Sequence, residues 1–109
     1  MQSPHFYDIL KIEEFTMLKQ PETLQALYKA LISLETEEDC QKFLEDLCTI
    51  PELHSLSQRW SVAQLLHEGK TFNEIMQEVG ASSATISRVN RCLLYGSGGY
   101  REMLQKQSK

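Results

Sequence analysis

Much that would announce a particular function is missing from these 109 residues. There are three cysteines, Cys40, Cys48 and Cys92, an odd number with no Cys-x-x-Cys pair. That spacing argues against a disulfide framework or a zinc site and points to reduced thiols in a cytoplasmic protein. The histidines (His5, His54, His67) are scattered, and none has a partner at metal-ligand spacing. No histidine or carboxylate stands near the serines around Arg88 to activate one as a nucleophile, so no enzyme and no cofactor is expected. No apolar run approaches the roughly 20 residues that span a bilayer, and no basic stretch precedes an apolar one as in a secretory leader. A membrane partner is therefore not expected. The glycines of Gly96-Ser97-Gly98-Gly99 follow no strand and lack the phosphate-loop pattern, which leaves a turn. Period-two alternation, internal repeats and low-complexity stretches are also absent.

Acidic residues are plentiful but unevenly placed. Residues 1–50 hold ten acids against four Lys/Arg, a balance of −6, whereas residues 51–109 hold five against seven, a balance of +2. From Gly80 onward Glu102 is the only acid, against Arg88, Arg91, Arg101, Lys106 and Lys109. The overall charge of −4 thus conceals a basic end that could act as an electrostatic footprint for nucleic acid. A solvated helix face with chance asymmetry would look the same.

Every long segment has helical period, so the chain reads as all-α. Residues 1–20 read as an N-terminal arm, a short helix or a loose segment, ending at Pro21. Residues 21–109 read as one helical domain. Leu24, Leu27, Tyr28, Leu31 and Leu34 form one stripe. Thr36 precedes an acidic first turn and a helix with Phe43, Leu44 and Leu47 on its apolar side. A third helix is predicted from Pro51, with Leu53, Leu56, Trp60, Ala63 and Leu66 on a stripe that Val62 and Leu65 widen, ending at Gly69. Tyr95 and Tyr100 flank the glycine break and are expected to pin the last helix onto the core.

Residues 72–95 have the form of a helix-turn-helix. Gly80 falls at the sharp turn, where positive φ is tolerated. Ile75, Val79, Ala81, Ile86 and Val89 fall where the two helices must pack, although Met76 is large for a crossing point. A plain helical hairpin would share these features. On the second helix, Ser82–Tyr95, projection turns Ile86, Val89 and Leu93 inward and Ala84, Ser87, Arg88, Arg91 and Tyr95 outward. Small and hydroxylated residues at its start (Ser82, Ser83, Ala84, Thr85) would let that end approach base edges closely. Ser82, Ser83, Ala84, Thr85, Ser87, Arg88 and Arg91 are the candidate DNA-binding residues, the arginines suited to backbone contacts.

The stretch Gly-Ala-Ser-Ser-Ala-Thr-Ile-Ser-Arg-Val, within a similarity running from about Glu22 to Lys106, resembles the Trp-repressor superfamily and its YerC/YecD-type Trp-repressor-like branch. The resemblance implies an intertwined six-helix homodimer, a transcriptional regulator binding a near-palindromic double-stranded DNA operator. It also implies an effector pocket at Thr49, Arg59 and Arg88. The rest of that pocket departs from the pattern: Val89 replaces a glycine, Cys92 a serine, and Asp46 and Cys48 replace leucines. Either no small molecule or a ligand other than tryptophan is therefore expected. The competing reading is a helical dimeric protein-interaction module without DNA binding.

Overall fold

The computed structural model describes residues 22–108; the N-terminal arm expected over residues 1–20 lies outside the described residues. These form six helices and no strand: α1 (Glu22–Ile32), α2 (Glu37–Leu47), α3 (Ile50–His67), α4 (Phe72–Val79), α5 (Ser83–Tyr95) and α6 (Gly99–Gln107). The all-α reading holds. The chain divides into two compact units at Leu44 and Glu45.

In the first unit, α1 half-buries Leu24, Leu27 and Leu31, with Leu34 beyond its end, as the stripe predicts. Tyr28 departs from the expected stripe and is exposed. Ser33 turns the chain out of α1, its Oγ donating to the Ala30 carbonyl at 2.7 Å. Thr36 then caps α2, accepting the Asp39 N–H at 3.0 Å, with Glu37, Glu38 and Asp39 at the positive end of the helix dipole. Neither α1 nor α2 contains a fully buried residue.

The second unit has a core of its own. Val62, Ala63 and Leu65 from α3, Ile75 from α4, Ala81 from the turn, and Ile86 and Val89 from α5 form one buried cluster. Trp60, Leu66, Met76, Val79 and Tyr100 pack against it. The positions predicted to pack the helix-turn-helix are thus the ones that do, and Met76 is accommodated at the rim of the core.

Helix α3 starts one residue before Pro51. Thr49 is its N-cap in a reciprocal box: Thr49 Oγ1 accepts the Glu52 N–H at 3.2 Å and Glu52 Oε1 accepts the Thr49 N–H at 2.7 Å. Gly69, at φ 88°, ends it. The two halves of α3 differ: all its buried residues lie in the C-terminal half, while Ile50 and Leu56 in the N-terminal half are exposed.

Candidate nucleic-acid interface

The sequence Thr71-Phe72-Asn73-Glu74 starts α4 with a second reciprocal box. Thr71 Oγ1 accepts the Glu74 N–H at 3.1 Å, and Glu74 Oε1 accepts the Thr71 N–H at 2.8 Å. The backbone amide and the hydroxyl of Thr71 both hold the Glu74 carboxyl below its ordinary pKa; Thr49 does the same to Glu52. Gly80 caps the end of α4 at φ 70°, ψ 17°, its N–H bonded to the Met76 carbonyl. A residue with a Cβ is costly in that left-handed conformation, so glycine permits the turn.

Ser82 is the N-cap of α5, so the helix begins at Ser83, one residue later than the period suggests. The Ser82 hydroxyl accepts the Thr85 N–H at 3.1 Å and donates to Thr85 Oγ1, also at 3.1 Å. Of the hydroxyls in the expected base-reading set, those of Ser82 and Thr85 are thus engaged with each other, and Thr85 is half-buried. The amides of Ser83 and Ala84 are left at the helix start, where geometry gives them no intrahelical acceptor. Ser83, Ala84, Ser87, Arg88 and Arg91 are all exposed. No acid lies on α5. The helix therefore presents a small, hydroxylated, positively charged face with its dipole's positive end forward, an arrangement suited to phosphate and base edges.

The far end of α5 is tied down. Arg101 of α6 donates Nε to the Leu93 carbonyl at 2.8 Å and Nη2 to the Leu94 carbonyl. Sequence charge alone counts this arginine with the free basic residues; the structure engages it with the last carbonyls of α5. Tyr100, beside it, stacks on Trp60 with ring centroids 6.4 Å apart and planes 13° from parallel. Tyr100 thus pins α6 to the core as expected. Tyr95 does not: it is 83% exposed, because the outward face of α5 carries it away from the core.

The residues of the implied effector pocket are placed differently from one another. The Thr49 hydroxyl is engaged in capping α3. Arg59 is half-buried and lines an open recess of about 450 Å³ with Cys48, Pro51, Glu52, Ser55 and Leu56. Arg88 is exposed on α5. Arg59 and Arg88 both act on the Tyr100 phenol: burial and Cys92 push its pKa up, and the two guanidiniums partly offset that. Val89, 1% exposed, is locked in the core. The two threonine–glutamate boxes carry a legible sequence signal, Thr-x-x-Glu ahead of an apolar run.

The chain is similar to known proteins in sequence and in fold. Residues 22–108 match the family described as Trp repressor protein. The uncharacterized protein YerC of Bacillus subtilis (strain 168) is 49% identical over 83 residues, 76% of this chain and 80% of that protein. A crystal structure of a candidate Trp repressor from Staphylococcus aureus superposes with a TM-score of 0.81 at 42% identity, covering 85% of this chain and 93% of that one. A TrpR-like protein from Eubacterium eligens ATCC 27750 gives 0.78 at 43% identity, covering 81% and 91%.

Proposed function

The chain belongs to the Trp repressor family, and from that premise we propose that it is a DNA-binding transcriptional regulator reading a near-palindromic operator as a homodimer. Residues 72–95 are its reading head, with α5 as recognition helix. The observation that carries this is the exposed, acid-free face of α5, set on a buried core and capped at both ends. Ser83, Ala84 and Ser87 approach base edges, Arg88 and Arg91 the phosphates, and Ser82 with Thr85 shapes the helix start between them.

A second copy is supported by the apolar surface that one copy leaves uncovered. Ile32 is 84% exposed, Ile50 72% and Leu47 50%, and α1 and α2 bury nothing fully. Large exposed apolar surface marks an interaction face, and a two-fold partner offers the same surface in return. No helix among the described residues is long and apolar enough to cross a membrane, and the cytoplasm, where the DNA is, is the proposed place of action. Tryptophan is not the effector in this reading, because the Val89 side chain is part of the core.

The experiment is duplex binding by the purified protein across a salt series. Phosphate neutralisation releases counterions, so log affinity should fall linearly with log salt. Inserting about five base pairs between the half-sites of the selected operator should abolish tight binding, since two heads dock roughly one helical turn apart. L-tryptophan should leave the affinity unchanged. Failure to bind any duplex at low salt would overturn this function and turn attention to a protein-docking role.

A further inference from the structure

Side chains of neighbouring helices hold the end of α4 ahead of the turn and the last carbonyls of α5. At the turn, Gln58 of α3 donates Nε2 to the Val79 carbonyl at 3.4 Å, fixing the end of α4 from which the turn departs. At the other end, Arg101 bonds the Leu93 and Leu94 carbonyls. Those belong to the last four carbonyls of the helix, which have no intrahelical donor, and a cation there suits the negative end of the dipole. Exposed as it is, this bond adds little to global stability. Its effect is on where the helix points.

Helix α6 has its own anchors. Tyr100 stacks on Trp60 of α3, and Leu104 is 5% exposed. The return from α5 to α6 is close: a Cβ on Gly96 would run into the Cys92 carbonyl, and Gly98 turns at φ 94°. The six residues Gly96–Arg101 therefore bring one aromatic ring onto α3 and one guanidinium onto the end of α5.

We infer that α6 is a latch that sets the angle of α5 against α3, with Tyr100 and Arg101 as positioning residues for duplex binding. The inference rests on the reading of α5 as recognition helix. Stacked on Trp60, the Tyr100 ring holds α6 against α3 from within the chain. The reading head keeps one orientation without a ligand, because a side chain that is always present replaces one that binds and leaves.

The test uses the full chain with Arg101→Ala, Arg101→Lys and Tyr100→Leu. Duplex affinity is measured across salt, and amide hydrogen exchange along α5 is followed in the free protein. Both Arg101 variants should weaken binding about two- to thirtyfold, with the salt slope and melting temperature close to wild type and faster exchange at residues 94–96. Lysine keeps the charge but loses the two-pronged bond, so wild-type binding by Arg101→Lys would overturn the latch. So would a salt slope reduced by about one in Arg101→Ala, the mark of a phosphate contact. Tyr100→Leu should show the same loss while retaining helical circular dichroism; should it unfold, the Arg101 pair decides. A wild-type protein that binds no duplex sinks the functional reading by itself, and exchange then decides the latch: no change in Arg101→Ala overturns it.

Discussion

Residues 45–108 bury eight hydrophobic side chains, whereas residues 22–44 bury none. Both stretches are helical and amphipathic, so the difference does not lie in periodicity. It lies in what covers the apolar face. Helices α3, α4 and α5 bring their faces together around Val62, Ile75 and Ile86, each 0% exposed. The stripes of α1 and α2 stay half-covered, and Ile32 lies open. A helix without tertiary cover is marginal. The contrast teaches that amphipathic helices build a core only where their apolar faces meet, as α3, α4 and α5 do within one chain.

The largest expected effect tests that division directly. Ile86→Ala should cost about 2–5 kcal/mol by urea unfolding, since it opens a cavity in a fully packed site. Leu27→Ala on α1 should instead lower the unfolding midpoint by an amount that depends on protein concentration, as mass action requires when the lost contact is with another copy. A concentration-independent effect of Leu27→Ala would break the comparison.

Next in size are substitutions on the outward face of α5, where the core beneath is untouched. Ala84→Glu should remove the specific complex, each lost base contact costing about 1–3 kcal/mol, while unfolding stays near wild type. Arg91→Ala should weaken binding to all duplexes alike and lower the salt slope by about one. Competition assays with selected and scrambled duplexes separate the two. Equal loss on both duplexes for Ala84→Glu would remove the start of α5 from base reading.

Gly80→Ala comes third. A Cβ there would meet no atom within 4 Å, so the cost is that of the left-handed backbone alone, about 1–2 kcal/mol. It should appear as a lower unfolding midpoint with the core otherwise intact. A cost near zero would mean that the turn relaxes and the head is less rigid than its burial implies.

The helix-turn-helix was legible because its constraints are local. Gly80, the inward set Ile75, Ala81, Ile86 and Val89, and the outward set Ala84, Ser87, Arg88 and Arg91 all follow from one helical period and one sharp turn. What escaped was set by contacts that the period of a single helix does not contain. Arg101 reads as one more positive charge until its reach to the Leu93 carbonyl is seen. Leu47 and Leu56 read as members of apolar stripes, yet they are 50% and 46% exposed, because a stripe states that a face is apolar and not what covers it. Tyr95 and Tyr100 look equivalent beside the glycines; helix phase alone separates the exposed ring from the stacked one.

The smallest expected effect concerns the caps, and here too the two regions differ. In residues 45–108, Thr49–Glu52 and Thr71–Glu74 are complete boxes. In residues 22–44, Thr36 accepts the Asp39 N–H, and no return bond from the Thr36 N–H to Asp39 is formed among the described residues. The Glu52 and Glu74 carboxyls titrate below the ordinary glutamate value, chiefly through the threonine backbone amides and then the hydroxyls. Between the lowered folded value and the ordinary one, the unfolded chain binds more protons than the folded one, so stability rises with pH. The contribution is fully present above the ordinary value and is lost as pH falls through the lowered one. Glutamine retains an acceptor oxygen for the threonine N–H but cannot titrate. Glu52→Gln with Glu74→Gln should therefore be less stable than wild type near neutral pH and converge with it on the acid side, with a flatter decline between. Urea midpoints measured across that window check it. Coincident curves would show that the boxes order the helix starts without contributing to the acid response, leaving that response to other carboxylates.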